Sequence, residues 1–140
     1  MVPYRKATIR PFRDEDESLL FTLARDVFGD RGSWDDRRTL TALETDTVFV
    51  AEIEGSPAGY VALESAASSV RIEHLVVSPV HEGEGVGRQL LEYAEGFAIS
   101  RRARVLEVVV EADNRRAYDF YHGRGFRQAG EDLLQLVLPQ

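Results

Sequence analysis

Between residues 70 and 111 the chain runs strand, glycine-rich turn, helix, strand, and this order limits the fold more than any other feature of the sequence. Val70 to Val77 reads as a strand that ends at Ser78-Pro79, and Glu82-Gly83-Glu84-Gly85-Val86-Gly87 follows it. Val86, Leu90, Leu91, Ala94, Phe97 and Ala98 then recur at helical spacing, and Arg104 to Glu111 forms the next strand, whose Val108-Val109-Val110 run predicts burial on both faces. A strand–helix–strand crossover within one sheet is right-handed. The two strands are therefore predicted to be parallel neighbours in a mixed sheet.

The flanks extend this unit on both sides. Ala7 to Phe12 predicts a strand and Asp14 to Phe28 a helix with an acidic first turn. Gly29 and Gly32 end that helix, and Ser33 with Asp36 three residues on has the form of a capping box for a second short helix. Thr47 to Ile53 and Ala58 to Leu63 predict a hairpin joined by Glu54-Gly55-Ser56-Pro57. After residue 111, Asp113-Asn114 starts a helix to about His122, Gly123 and Gly125 stop it, and Phe126 to Leu138 supplies two strands around Gly130. The predicted order is β-α-α-β-β-β-α-β-α-β-β. At 140 residues, one domain spanning 1–140 is expected.

Composition narrows the chemistry. With no cysteine, neither disulfides, thiolate metal sites nor a covalent thiol intermediate is available. Seventeen basic against 24 acidic residues leave a net charge of −7, the wrong sign for phosphate backbones, so no nucleic-acid partner is expected. Nothing approaches an apolar membrane span and Met1 to Arg10 lacks a signal-peptide core, so the expectation is a cytoplasmic protein with no membrane partner. His81 and His122 have no metal-ligand spacing, and no metal is assigned.

A glycine-rich turn leading from a strand into a helix points several unpaired amides, and the positive end of the helix dipole, at one place. That place suits a phosphate. No Lys-Ser or Lys-Thr follows Gly87, which excludes a Walker loop, and taken alone the turn reads equally well as an ordinary tight connection.

A second motif follows about 27 residues later: Asn114, Ala117, Phe120, Tyr121, Gly125 and Phe126 spell N-x-x-A-x-x-F-Y-x-x-x-G-F. With Val77-Ser78-Pro79, Glu82-x-x-Gly85-x-Gly87 and the opening Arg10-Pro11-Phe12-Arg13, the chain resembles the GNAT superfamily of acyl-CoA-dependent N-acetyltransferases over essentially its whole length. The resemblance implies an α/β (α+β) fold: a mixed, mostly antiparallel sheet of six or seven strands with a central splayed parallel pair and about four helices. It also implies acetyl-CoA as cosubstrate, an amine of a small molecule or peptide as acceptor, direct transfer in a ternary complex, and it is compatible with a homodimer. A module of the same fold that binds acyl-CoA without chemistry is the alternative.

Position by position, the resemblance implies that Leu75, Val76 and Val77 pair with the pantetheine amides and that the amides of Glu82, Gly83, Glu84, Gly85, Val86, Gly87 and Arg88 hold the pyrophosphate. Asn114 and Ala117 would meet the cofactor arm, and Tyr121 would stand near the thioester sulfur as general acid. A phenol with a pKa near ~10 is protonated at neutral pH and suits a leaving thiolate near ~8.5. Glu73 is the first candidate base, with a solvent-facing strand residue as its other reading; His74 is expected on the opposite face, as a packed or surface imidazole. The sequence departs from the family at Glu82, where the family has Arg or Gln, and at Glu84, where it often has another cation, which predicts weakened cofactor affinity if both face the pyrophosphate. Trp34 is either an aromatic lid on the acceptor side or, as the blander alternative, a capping residue packed on the core.

Overall fold

The computed structural model describes residues 4–28 and 36–140. Seven strands form one sheet: β1 (Thr8–Pro11), β2 (Thr47–Ile53), β3 (Ser56–Ser65), β4 (Ser69–Val77), β5 (Val105–Val109), β6 (Arg127–Gly130) and β7 (Leu133–Val137). The helices are α1 (Glu17–Phe28), α2 (Asp36–Thr45), α3 (Val86–Ser100) and α4 (Arg115–His122), with one-turn 3-10 segments at Asp14–Asp16 and Pro79–His81. The sheet order is β1-β2-β3-β4-β5-β7-β6. Every pairing is antiparallel except that of β4 with β5, the parallel pair predicted from the crossover. No helix among the described residues is long and apolar enough to cross a membrane.

The unbroken burial of β3 from Ala58 to Leu63 follows from helices on both faces of the sheet. Val61 and Leu63 join Leu90, Leu91, Ala94 and Tyr121 in a core under α3 and α4, while Tyr60 and Ala62 join Leu20, Ala24 and Leu43 under α1 and α2. Leu90 and Leu91 are fully buried, each worth about 1.5–3 kcal/mol of apolar transfer. On the first strand, Arg10 reaches the first turn of the following helix, donating to both carboxylate oxygens of Asp16 at 2.8 Å; Asp16 also accepts from the Arg13 amide.

Several boundaries differ from the sequence reading. The β2–β3 connection is a two-residue turn, Glu54-Gly55, with φ of 53° and 79°, and Ser56 already faces Ile53. Two left-handed residues in succession match the strands' own twist, so Ser56 and Pro57 belong to β3. The terminal hairpin turns at Glu131-Asp132, Asp132 having φ 57°, with Gly130 the last residue of β6. The helix expected from Asp14 starts as a 3-10 turn and becomes α-helical at Glu17. Gly29, Gly32, Ser33 and Trp34 lie outside the described residues, so the expected cap and aromatic lid do too.

Candidate active site

The parallel pair comes apart at one residue. On β5, β4 is paired only from Ser69 to Ile72. On β3, Ala62 faces His74 and Leu63 faces Ile72, which leaves Glu73 as an extra residue without a partner, a β-bulge. β5 turns away toward the terminal hairpin, the Val110 amide donating to the Asp132 carbonyl at 2.7 Å. From His74 to Val77, β4 is thus paired with β3 alone, and its other edge presents backbone N–H and C=O groups to the opening. Leu75 and Val77 are half-buried against the core under α3; Val76 is fully buried on the α1–α2 side.

The glycine-rich turn enters the same opening. Gly85 caps α3 with φ 87°, and the first intrahelical bond runs from the Gln89 amide to the Gly85 carbonyl at 3.1 Å. The amides of Val86, Gly87 and Arg88 therefore lie in the first turn, ahead of that bond, where the helix dipole is positive. A methyl group on Gly87 would meet Val77, Leu75 and Phe120 at 3.5–3.7 Å, so the start of α3, the end of β4 and α4 converge there. Two of the seven amides expected at the pyrophosphate are engaged: Glu82 donates to Pro79 at 3.4 Å and Glu84 to His81 at 3.3 Å.

The structure also shows a part of the site that sequence reasoning missed. The segment before β1 straps the turn: the Arg5 amide donates to the Glu84 carbonyl at 2.9 Å, and the Tyr4 ring covers the side of Gly85 where a Cβ would stand. Gln89 fastens it, accepting from the Ala7 amide at 2.9 Å and donating to the carbonyls of Arg5 at 2.7 Å and Gly85 at 3.1 Å. No motif marks Gln89; its role arises from contacts more than eighty residues apart in the chain.

Glu82 and Glu84 both have cations of their own. Glu84 is bonded to His81 and lies 3.9 Å from Arg5, while Glu82 faces Arg116 on α4 at 3.6 Å with both side chains exposed. Both carboxylates thus have partners within the protein, which the sequence reading of Glu82 and Glu84 did not include.

Tyr121 stands on the buried face of α4, its ring edge-on to Phe120 at 5.0 Å and Phe126 at 5.3 Å. Burial pushes its phenol well above the usual tyrosine range, so the proton is held at any physiological pH. Asn114 caps α4, its side-chain oxygen accepting from the Ala117 amide at 3.2 Å, and so fixes the start of the helix that carries Tyr121.

Glu73 and His74 line one cavity of about 300 Å³ between β4 and α2. Strict alternation predicts opposite faces for them; the bulge at Glu73 breaks the alternation and brings both to the same side. Burial and the neighbouring Glu64 raise the Glu73 pKa above the usual carboxylate range, against the opposing pull of Arg71 and Arg38. His74 is buried and held neutral, its pKa pushed down to about 4 by desolvation and by Arg38, with the Tyr60 hydroxyl 3.4 Å from its Nδ1.

The model of the Acetyltransferase (GNAT) family matches residues 11–126. An uncharacterised N-acetyltransferase of Archaeoglobus fulgidus is 35% identical over 96 residues, 64% of this chain and 65% of that protein. A streptothricin acetyltransferase of Streptomyces lavendulae is 36% identical over 110 residues, 76% of this chain and 58% of that one. The chain thus spans less than two thirds of the length of either relative. In fold, the crystal structure of the PaiA N-acetyltransferase of Thermoplasma acidophilum in complex with coenzyme A is similar at a TM-score of 0.76, with 19% identity over 93% of this chain and 97% of that one. With a family match that runs from the end of β1 past α4 and includes the bulged strand, the glycine turn and the helix of Tyr121, the chain belongs to the GNAT family of acetyltransferases.

Proposed function

We propose that the protein transfers an acetyl group from acetyl-CoA to a primary amine, directly and with both substrates bound together. The observation that carries this reading is the convergence of the unpaired edge of β4, the first-turn amides of α3 and, through Phe120 beside Gly87, the helix α4 that carries Tyr121. The name of the relative from Archaeoglobus fulgidus, an N-acetyltransferase, supports transfer to nitrogen.

The residues fit acetyl-CoA chemically. The edge at Leu75 to Val77 offers alternating donors and acceptors suited to the amides of a pantetheine arm. Val86, Gly87 and Arg88 offer the helix-terminal amides suited to a pyrophosphate, and the paired Glu82 and Glu84 oppose it little. When bound, acetyl-CoA supplies the activated acyl group. An alkylammonium with a pKa near ~10 must lose its proton before it attacks, and Glu73, more basic than an ordinary carboxylate, takes that proton. As the C–N bond forms and the C–S bond breaks, Tyr121 gives its proton to the departing sulfur, and the second proton that the new amide nitrogen must lose restores the phenol. Asn114 holds α4 so that the phenol stays in place.

Thiol release from acetyl-CoA, measured across a panel of primary amines, tests the reading. Expected are turnover with at least one class and initial-rate patterns of a sequential mechanism. Tight coenzyme A binding without turnover on any amine would make the protein a binding module, and ping-pong kinetics would refute direct transfer.

A further inference from the structure

Gln89 directs its side-chain amide entirely at the backbone around the glycine turn. Its carbonyl oxygen accepts from Ala7 at 2.9 Å, and its amino group donates to the carbonyls of Arg5 at 2.7 Å and Gly85 at 3.1 Å. The Gly85 carbonyl also accepts from the Gln89 backbone amide, so a single residue engages both of its lone pairs. One peptide earlier, the Glu84 carbonyl accepts at 2.9 Å from the amide of Arg5, on the strap that Gln89 holds.

A trans peptide is planar, and its N–H points opposite to its C=O. Holding the Glu84 carbonyl therefore directs the Gly85 N–H away from the strap, and holding the Gly85 carbonyl directs the Val86 N–H out of the end of α3. Neither amide has an acceptor among the described residues. Gly85 is left-handed, with φ 87° and ψ 9°, and Val86 begins the right-handed helix; this alternation turns successive N–H groups toward one anion. Gly85 has no side chain to restrict it, so its conformation is imposed from outside the turn, by Gln89, the strap and the Tyr4 ring.

We propose that Gln89 is a positioning residue for cofactor binding: through the strap and the Gly85 carbonyl it aims the amides of Gly85 and Val86 at the pyrophosphate of coenzyme A before the cofactor arrives. This rests on the acetyl-CoA reading above. Gln89 acts through these peptide groups and takes no part in the chemical step.

The test is Gln89→Met, which keeps the side-chain length and helix propensity and removes the three hydrogen bonds. Without ligand, NMR order parameters at Gly85 and Val86 should fall from about 0.85 to below about 0.6. Calorimetric titration should show coenzyme A bound roughly tenfold more weakly, as a turn that holds its binding geometry about a tenth of the time requires. Asp16→Asn, destabilised at the start of α1, should match wild type in both measurements, which separates positioning from loss of stability. Gln89→Ala, whose space water can fill, gives the same comparison if Gln89→Met does not fold. Coenzyme A affinity equal to wild type in the Gln89 variant, weaker binding with the turn still rigid, or an equal loss in Asp16→Asn overturns the proposal and leaves acetyl transfer intact. A wild-type protein that does not bind coenzyme A overturns both.

Discussion

Gly59 is the position where the geometry of the opening can be tested by adding one methyl group. It lies on β3 opposite Val77, and a Cβ there would fall far inside contact distance of the Val76 carbonyl oxygen, with Leu90 at 3.2 Å and the Val77 Cα at 3.3 Å. Restoring an ordinary C···O separation of about 3.3 Å requires the strands to part by roughly 1 Å, because the obstacle is backbone and has no rotamer to change. Overpacking of this kind costs about 1–3 kcal/mol. For a chain of 140 residues that lowers Tm by roughly 3–10 °C. The displaced stretch of β4 is also the edge assigned to the cofactor arm, and misplacement by ~1 Å is worth up to ~10²-fold in rate. Gly59→Ala should therefore lower both Tm in calorimetry and coenzyme A affinity in titration. Gly96→Ala is the control: on the exposed side of α3 its methyl meets nothing within 4 Å, and it should stabilise by about 0.4–1 kcal/mol. A Gly59→Ala protein that melts within a degree of wild type and binds coenzyme A equally well would refute the close approach of β3 and β4.

Tyr121→Phe should keep the fold and coenzyme A binding while lowering kcat by about 10²–10⁴-fold; an unchanged single-turnover rate removes the phenol from the chemistry. Glu73→Gln should abolish the acid limb of the kcat/KM profile and recover partly at high pH, and since a raised carboxylate pKa means that ionisation disfavours the folded state, its Tm at pH 7 should be equal to or above wild type. Asp16 has the opposite sign: held below its usual range by Arg10, it contributes stability above the unfolded pKa near ~3.9 that disappears as pH falls. Asp16→Asn should thus cost about 1.5–3 kcal/mol at pH 7 in denaturant titrations and much less near pH 3. Glu84→Gln, which removes the partner of His81 and Arg5, should weaken coenzyme A binding by loosening the turn; tighter binding would show that the carboxylate repels the cofactor after all.

The strands, the crossover and the helix of Tyr121 are legible in the sequence because each rests on local signals: apolar periodicity, Ser78-Pro79 after β4, and Asn114 as a cap. The parallel pairing follows from handedness alone, and β2 has the bounds its alternation predicts. What stays hidden depends on relations between strands. The bulge at Glu73 has no glycine or proline to announce it, since it is the mismatch between Ala62–His74 and Leu63–Ile72 that creates it. A one-residue slip reverses the faces of all later residues, so an unmarked bulge is enough to put His74 on the wrong side. The turn at Glu54-Gly55 is recognisable but reads too long, because Ser56-Pro57 carries breaker residues on a strand whose first positions tolerate them.

The carboxylates of the glycine turn illustrate the same limit for charge. Counted along the sequence, Glu82 and Glu84 put two negative charges where a phosphate is expected, and a pair at ~4 Å in a surface environment is worth about 1–4 kcal/mol. In the folded protein each carboxylate faces a cation supplied by a different segment, Arg5 for Glu84 and Arg116 for Glu82, and Glu84 is also bonded to His81 within the turn. The two pairings do different work. Glu84, mostly buried, ties the strap to the turn and so helps hold Gly85 under Tyr4, whereas the Glu82–Arg116 pair is exposed, long and screened, and links the turn loosely to α4. Since the amides of Val86, Gly87 and Arg88 are fixed by the backbone of α3, the attraction for an anion survives both substitutions. A carboxylate near a phosphate turn is therefore no mark of a lost site until its partners are known.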